Sequence, residues 1–121
     1  MSREYGCAER SLPFFIVELD ELVPPRVRAG GEFNHRMVYA LCPAAPTQVV
    51  SGGLSTRIRF RGEPIFHETE AVYELRPGRW RVDTIVEVPD HAEPGVYAYE
   101  IEFASASLRF ERGLTFLIEE P

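Results

Sequence analysis

Along most of the chain apolar and polar residues take turns with a repeat of two, the pattern of strands that bury one face. Residues 54–61 are the clearest stretch: Leu54, Thr56, Ile58 and Phe60 share one side, and Ser55, Arg57, Arg59 and Arg61 the other. Residues 96–104 repeat it, with Tyr97, Tyr99, Ile101 and Phe103 set against Glu100 and Glu102. Residues 33–42 align Phe33, His35, Met37, Tyr39 and Leu41, and residues 79–88 align Trp80, Val82, Thr84, Val86 and Val88 as an inner face. Apolar runs at 13–19 and 107–118 predict strands at the two ends, and 64–69 and 71–76 predict two shorter ones. No longer window carries a helical period.

The turn residues fit this pattern. Gly62-Glu63 predicts a type II′ hairpin, and Pro77-Gly78 and Pro94-Gly95 predict type II turns. Gly30-Gly31 and Gly52-Gly53 mark two further turns, and Gly113 predicts a bulge. Short strands at this spacing predict an all-β, antiparallel β-sandwich of seven to eight strands. The chain has 121 residues, enough for one domain. Residues 1–12 read as a flexible extension and 13–121 as the sandwich.

The stretch Val88-Pro89-Asp90-His91-Ala92-Glu93-Pro94-Gly95-Val96-Tyr97 resembles the corner of immunoglobulin-like and fibronectin type III-like sandwiches. There a Tyr hydrogen-bonds back to the preceding connection, which implies an immunoglobulin-like fold and the same role for Tyr97. The chain departs from the antibody pattern: Tyr99 stands where a partner for Cys42 belongs, and Trp80 comes too late. A second resemblance rests on Gly31-Glu32, Leu75-x-Pro77-Gly78, the Pro-Gly-x-Tyr step and Phe116-x-Ile118-Glu119. In order these are similar to the carbohydrate-binding sandwich at the end of some polysaccharide ABC-transporter ATPases, which implies a sugar ligand.

Charge narrows the functions. Nineteen acidic residues against thirteen basic ones give a net charge of -6, the wrong sign for phosphate neutralisation, so no nucleic-acid partner is expected. Every basic residue is Arg. That fits codon bias in a GC-rich, bacterial-type genome, or a need for planar bidentate donors. Cys7 and Cys42 make no disulfide framework and read as two reduced thiols. No apolar run is long enough to span a membrane, and no leader follows Met1, so the expected setting is cytoplasmic, or secreted if a leader has been removed.

No nucleophile elbow, P-loop, dinucleotide turn or Cys-x-x-Cys pair is present. The histidines, His35, His67 and His91, lie too far apart for a local metal motif. His35 with Met37 could suit copper, and His67-Glu68-Thr69-Glu70 a divalent ion, but core packing and a solvated strand edge explain them more simply. The expectation is therefore a module that is not an enzyme, with no catalytic residue, metal or cofactor. Its partner is an unknown protein or a second copy, with a carbohydrate or small anion as the alternative and an enzyme with an unrecognised site as a remote one. Candidate binding residues are Arg57, Arg59 and Arg61 on one outer face, Val49 and Val50 in the uncharged 43–53 loop, and His91 in the 89–95 loop. The arginines are also placed to pair with Glu100 and Glu102 across a sheet, and Arg79 and Arg81 with Glu87 or Asp83. A sugar platform would need outward rings such as Phe66 or Tyr73.

Overall fold

A computed structural model describes residues 2–7, 14–43, 45 and 48–120. Strands β1 (Phe14–Val23), β3 (Glu32–Cys42) and β6 (Gly78–Glu87) form a three-stranded sheet in the order β1-β3-β6. Strands β2 (Arg26–Arg28), β4 (Val50–Phe60), β5 (Glu63–Leu75), β7 (Gly95–Ala104) and β8 (Arg109–Glu119) form the second, in the order β2-β8-β7-β4-β5. The protein is thus an all-β sandwich of eight strands among the described residues. Every pairing is antiparallel except the short β2, which runs parallel to the end of β8.

Alternation produced the core as expected where a strand is covered. Phe33, His35, Met37, Tyr39 and Leu41 of β3 are all buried, as are Tyr97, Tyr99, Ile101 and Phe103 of β7. Ring contacts show which strands face each other. Phe15 of β1 stacks on Phe110 of β8 at 4.5 Å, and Phe33 and His35 of β3 meet Tyr99 of β7 at 6.0 and 4.9 Å. That leaves β6 across from β4 and, among the described residues, nothing across from β5, whose residues 63–72 are all exposed. Tyr97 donates to the Glu93 carbonyl at 2.7 Å, pinning the connection that precedes β7.

Several local expectations are corrected. Runs 64–69 and 71–76 are one strand, β5, because a register shift between Gly52 and Leu54 absorbs the break in alternation. Gly52-Gly53 lies inside β4 rather than in a turn. A Cβ at Gly52 would strike the Ala104 carbonyl and the Phe103 ring, so glycine lets the backbones approach. The β4–β5 hairpin turns on Arg61-Gly62, both with positive φ, 53° and 81°, which is a type I′ turn one residue earlier than predicted. Gly113 pairs with Glu100 in unbroken register and makes no bulge. Trp80 is 42% exposed because β6 is an edge; its Nε1 donates to the Pro77 carbonyl at 2.9 Å and Arg76 lies over its ring.

The cysteines form a disulfide, Cys7–Cys42. Cys42 pairs with Phe14 at the start of β1. Residues 2–7 of the expected loose extension are therefore fastened. Ser2–Tyr5 makes one helical turn, α1, whose Tyr5 ring meets Phe14 at 5.2 Å. Glu4 accepts from Arg79 at 2.8 Å. Residues 1 and 8–12 lie outside the described residues.

Burial sets the first expected outcome. Phe103→Ala should cost about 3–5 kcal/mol in urea unfolding, against about 1 kcal/mol for Trp80→Ala. The disulfide joins positions 35 apart, so Cys7→Ser should lower stability by about 3–4 kcal/mol and make it insensitive to reductant.

Candidate functional site

The residues singled out from the sequence do not form one site. Arg57 and Arg59 both lean on Glu100, at 3.4 and 2.8 Å, so the expected cross-strand pairing is present. Glu102 goes instead to Arg109 at 3.0 Å. Arg61 sits 3.9 Å from Glu93 beside the loop that carries the exposed His91. Arg81 pairs with Asp83 at 3.0 Å, while Arg79 reaches Glu18 at 2.6 Å rather than Glu87. Val50 is 4% exposed and belongs to the core, which removes it from any contact patch, whereas Val49 is partly exposed. Val50 and Arg61 stand at opposite ends of β4, roughly 35 Å apart at the rise of an extended strand.

The concave site lies elsewhere, where the layers part between β5 and β6. It is a cleft of about 670 Å³. Its floor is His35 and Met37 from β3 with Tyr99 and Ile101 from β7. One wall is Leu54, Thr56 and Ile58 of β4 continued by Phe66, Glu68, Glu70 and Tyr73 of β5. The other is Val82, Thr84 and Val86 of β6 with Glu87. The β4–β5 register explains this wall: Ile58, Thr56 and Leu54 pair with Phe66, Glu68 and Glu70, so an inward position on β4 makes its β5 partner inward too. Glu68, Glu70 and Glu87 make no ion pair among the described residues, and no arginine lines the cleft.

Beneath the floor lies a polar cluster that the sequence did not announce. β1 has an extra residue at Glu18, where its register with β3 shifts, so Phe15 and Val17 point inward before it and Asp20 and Leu22 after it. The Asp20 side chain is 1% exposed. It meets His35 Nε2 at 2.6 Å and accepts from Arg112 Nε of the other sheet at 3.1 Å. Burial alone would raise the Asp20 carboxyl, but the hydrogen bonds with His35 and Arg112 outweigh it and hold it below the ordinary carboxylate range. Tyr99 is pushed up to about 12, by burial first and then by the carboxylates of Asp20 and Glu68. The cleft thus has a neutral phenol in its floor and free carboxylates on its rim.

A depressed folded-state value means that Asp20 stabilises the fold above its unfolded pKa, and that this contribution fades as pH falls through the folded value. Stability should therefore decline from about pH 4 downward, and Asp20→Asn should flatten that acid limb. The same variant should cost about 3 kcal/mol near neutrality, because it strips a buried pair of one charge. Urea unfolding across pH checks both.

No known protein family matches the chain, and no curated protein does. Solved structures share its fold. It is similar to part of a family 123 glycoside hydrolase from Clostridium perfringens, with 13% identity and a TM-score of 0.57 over 88% of this chain and 27% of that one. An alkylpurine DNA glycosylase from Pseudomonas fluorescens gives 12% identity and 0.57 over 88% of this chain and 30% of the other. A β-glucuronidase from Parabacteroides merdae gives 13% identity and 0.52 over 86% and 13%. The chain spans less than a third of each of these enzymes. At such identities the likeness concerns the fold alone, and fold does not carry activity with it.

Proposed function

We propose that the protein is a non-catalytic interaction module that holds a segment of another polypeptide in the β5–β6 cleft. One observation carries this reading: an apolar cleft lies open between two strands, β5 and β6, that have no partner on their outer edges among the described residues. Ile65, Phe66 and Ile85 stand exposed at its mouth, at 58%, 46% and 59%. Exposed apolar surface of this kind is costly in water and marks a contact surface. Catalysis draws less support, since the imidazole in the lining is engaged by Asp20 and Tyr99 keeps its proton. Pairing of β5 with β5 of a second copy is disfavoured, because Glu63, Glu68, Glu70 and Glu74 would face one another with only His67 to offset them.

A sugar ligand is the second reading. Phe66 and Tyr73 share the cleft with the acceptors Glu68 and Glu70, the rings and oxygens that a pyranose uses. An anion on Arg57, Arg59 and Arg61 draws less from the geometry, since each guanidinium already has a carboxylate beside it. The Cys7–Cys42 bond favours an oxidising compartment over the cytoplasm.

Arrays of random nine-residue peptides and of glycans, probed with the chain and with Phe66→Ser, test the site. Peptide signals that vanish in the variant, with its circular dichroism unchanged, are expected. Glycan signals that vanish instead would favour sugar, and signals equal in both proteins would remove the cleft from consideration.

A further inference from the structure

Resting on that reading, we infer that the cleft is the lane of a missing fourth strand beside β6, and that its occupant is one extended segment of a partner protein. Two inward side chains of that segment are cationic, and its flanking inward side chains are apolar.

The layers set the place. With β1 over β8, β3 over β7 and β6 over β4, the next strand position beyond β6 lies across from β5, and none of the described residues fills it. A strand there would sit about 4.8 Å from β6, the ordinary spacing within a sheet, and would face β5 across the cleft. It would cover the inner face of β5, which is exposed from residue 63 to residue 72.

The backbone of β6 is set to receive it. The Val88 N–H donates to the Gly31 carbonyl at 2.8 Å, and the Val88 carbonyl accepts from the Gly30 N–H at 3.1 Å. Both polar groups of Val88 therefore turn toward β3. The β3–β6 register runs without a shift from Glu87 to Gly78, so the other even-numbered residues turn the same way. Arg81, Asp83, Ile85 and Glu87 then aim their N–H and C=O groups at the free edge. An extended peptide captured on such a row gains main-chain hydrogen bonds, while the wall opposite selects its side chains.

That wall specifies the chemistry. Phe66, Glu68 and Glu70 recur every second residue, and Tyr73 follows after the register shift. A segment in the lane would present inward residues at the same period. Lys or Arg fits beside Glu68 and Glu70, and apolar residues fit beside Phe66 and Tyr73. From Phe66 to Tyr73 is roughly 23 Å of strand, so about seven residues suffice. A second copy of this chain is a poorer occupant. Antiparallel β6–β6 pairing puts both five-stranded sheets on the same side of the joined layer, and the partner's β4 would land on β5. A lone strand brings no such second layer.

The probe is a blocked heptapeptide with Val at its first and last positions, Lys at the third and fifth, and Thr between. Its control carries Glu in place of Lys. Calorimetric titration at low salt should show the Lys peptide binding at least tenfold more tightly than the Glu peptide. Glu68→Gln with Glu70→Gln should weaken it at least tenfold. Ile85→Pro removes an edge N–H that β3 does not use, so the fold should survive while binding falls at least tenfold. A peptide N-methylated at alternate amides tests the same hydrogen bonds from the ligand side. Equal binding by Ile85→Pro and by the methylated peptide would overturn strand addition, and equal binding of the Glu peptide would overturn the charge assignment. If binding persists in both yet is lost in Phe66→Ser, the cleft stands and the lane falls. If neither the heptapeptide nor any arrayed peptide binds, the cleft reading falls as well.

Discussion

The two layers differ in width, and most of what distinguishes this protein follows from that mismatch. Side chains pack densely only where one sheet lies over the other. Phe33, Leu41 and Phe103 sit in that overlap and are almost wholly removed from water. Beyond β6 the overlap ends, and β5 continues without a roof among the described residues. The inner face of β5 is then built as a compromise, with rings at Phe66 and Tyr73 and carboxylates between them. An uncovered strand that was apolar throughout would invite indiscriminate pairing, and inward charges on an edge restrain that.

The Asp20–His35–Arg112 cluster ties the layers together on the other side of β3. It spans both sheets, since Asp20 and His35 belong to one and Arg112 to the other. The buried Asp20 carboxylate is costly to leave alone, and its bond to Arg112 crosses between the layers, so the cluster disfavours packings in which the sheets slide past each other. The His35 ring they hold is also the floor of the cleft, which makes the cluster a support for that surface.

The sequence disclosed the covered strands and the local corner, and it failed where solvation is two-sided. β3 and β7 each have one wet and one dry face, so their alternation translates directly into burial. β6 alternates in the same way, yet Trp80 is exposed, because periodicity tells which residues share a side and not whether that side is covered. Parity likewise separates Glu68 and Glu70 from His67 and Thr69 without saying which pair faces inward. Only the β4–β5 register decides that. Asp20 was hidden by the extra residue at Glu18, which reverses parity within β1, and the disulfide by its dependence on where a remote strand ends. The pairing of Arg57 and Arg59 with Glu100 was readable because neighbouring strands carried opposite charges at matching positions.

The irregularity in β1 has an evolutionary reading. Glu18 stands outside the regular ladder yet grips Arg79 and Tyr5, while Asp20, two places on, anchors the interior. A relative that lost this single residue could keep every later side chain of the strand facing as it does now, and would forfeit only the clamp on its amino-terminal turn. Insertions and deletions at this point can therefore remove one tie on the amino-terminal turn while the disulfide and the Glu4–Arg79 bond keep it in place, and an alignment that assumes uniform strand length would misplace the buried aspartate by one column.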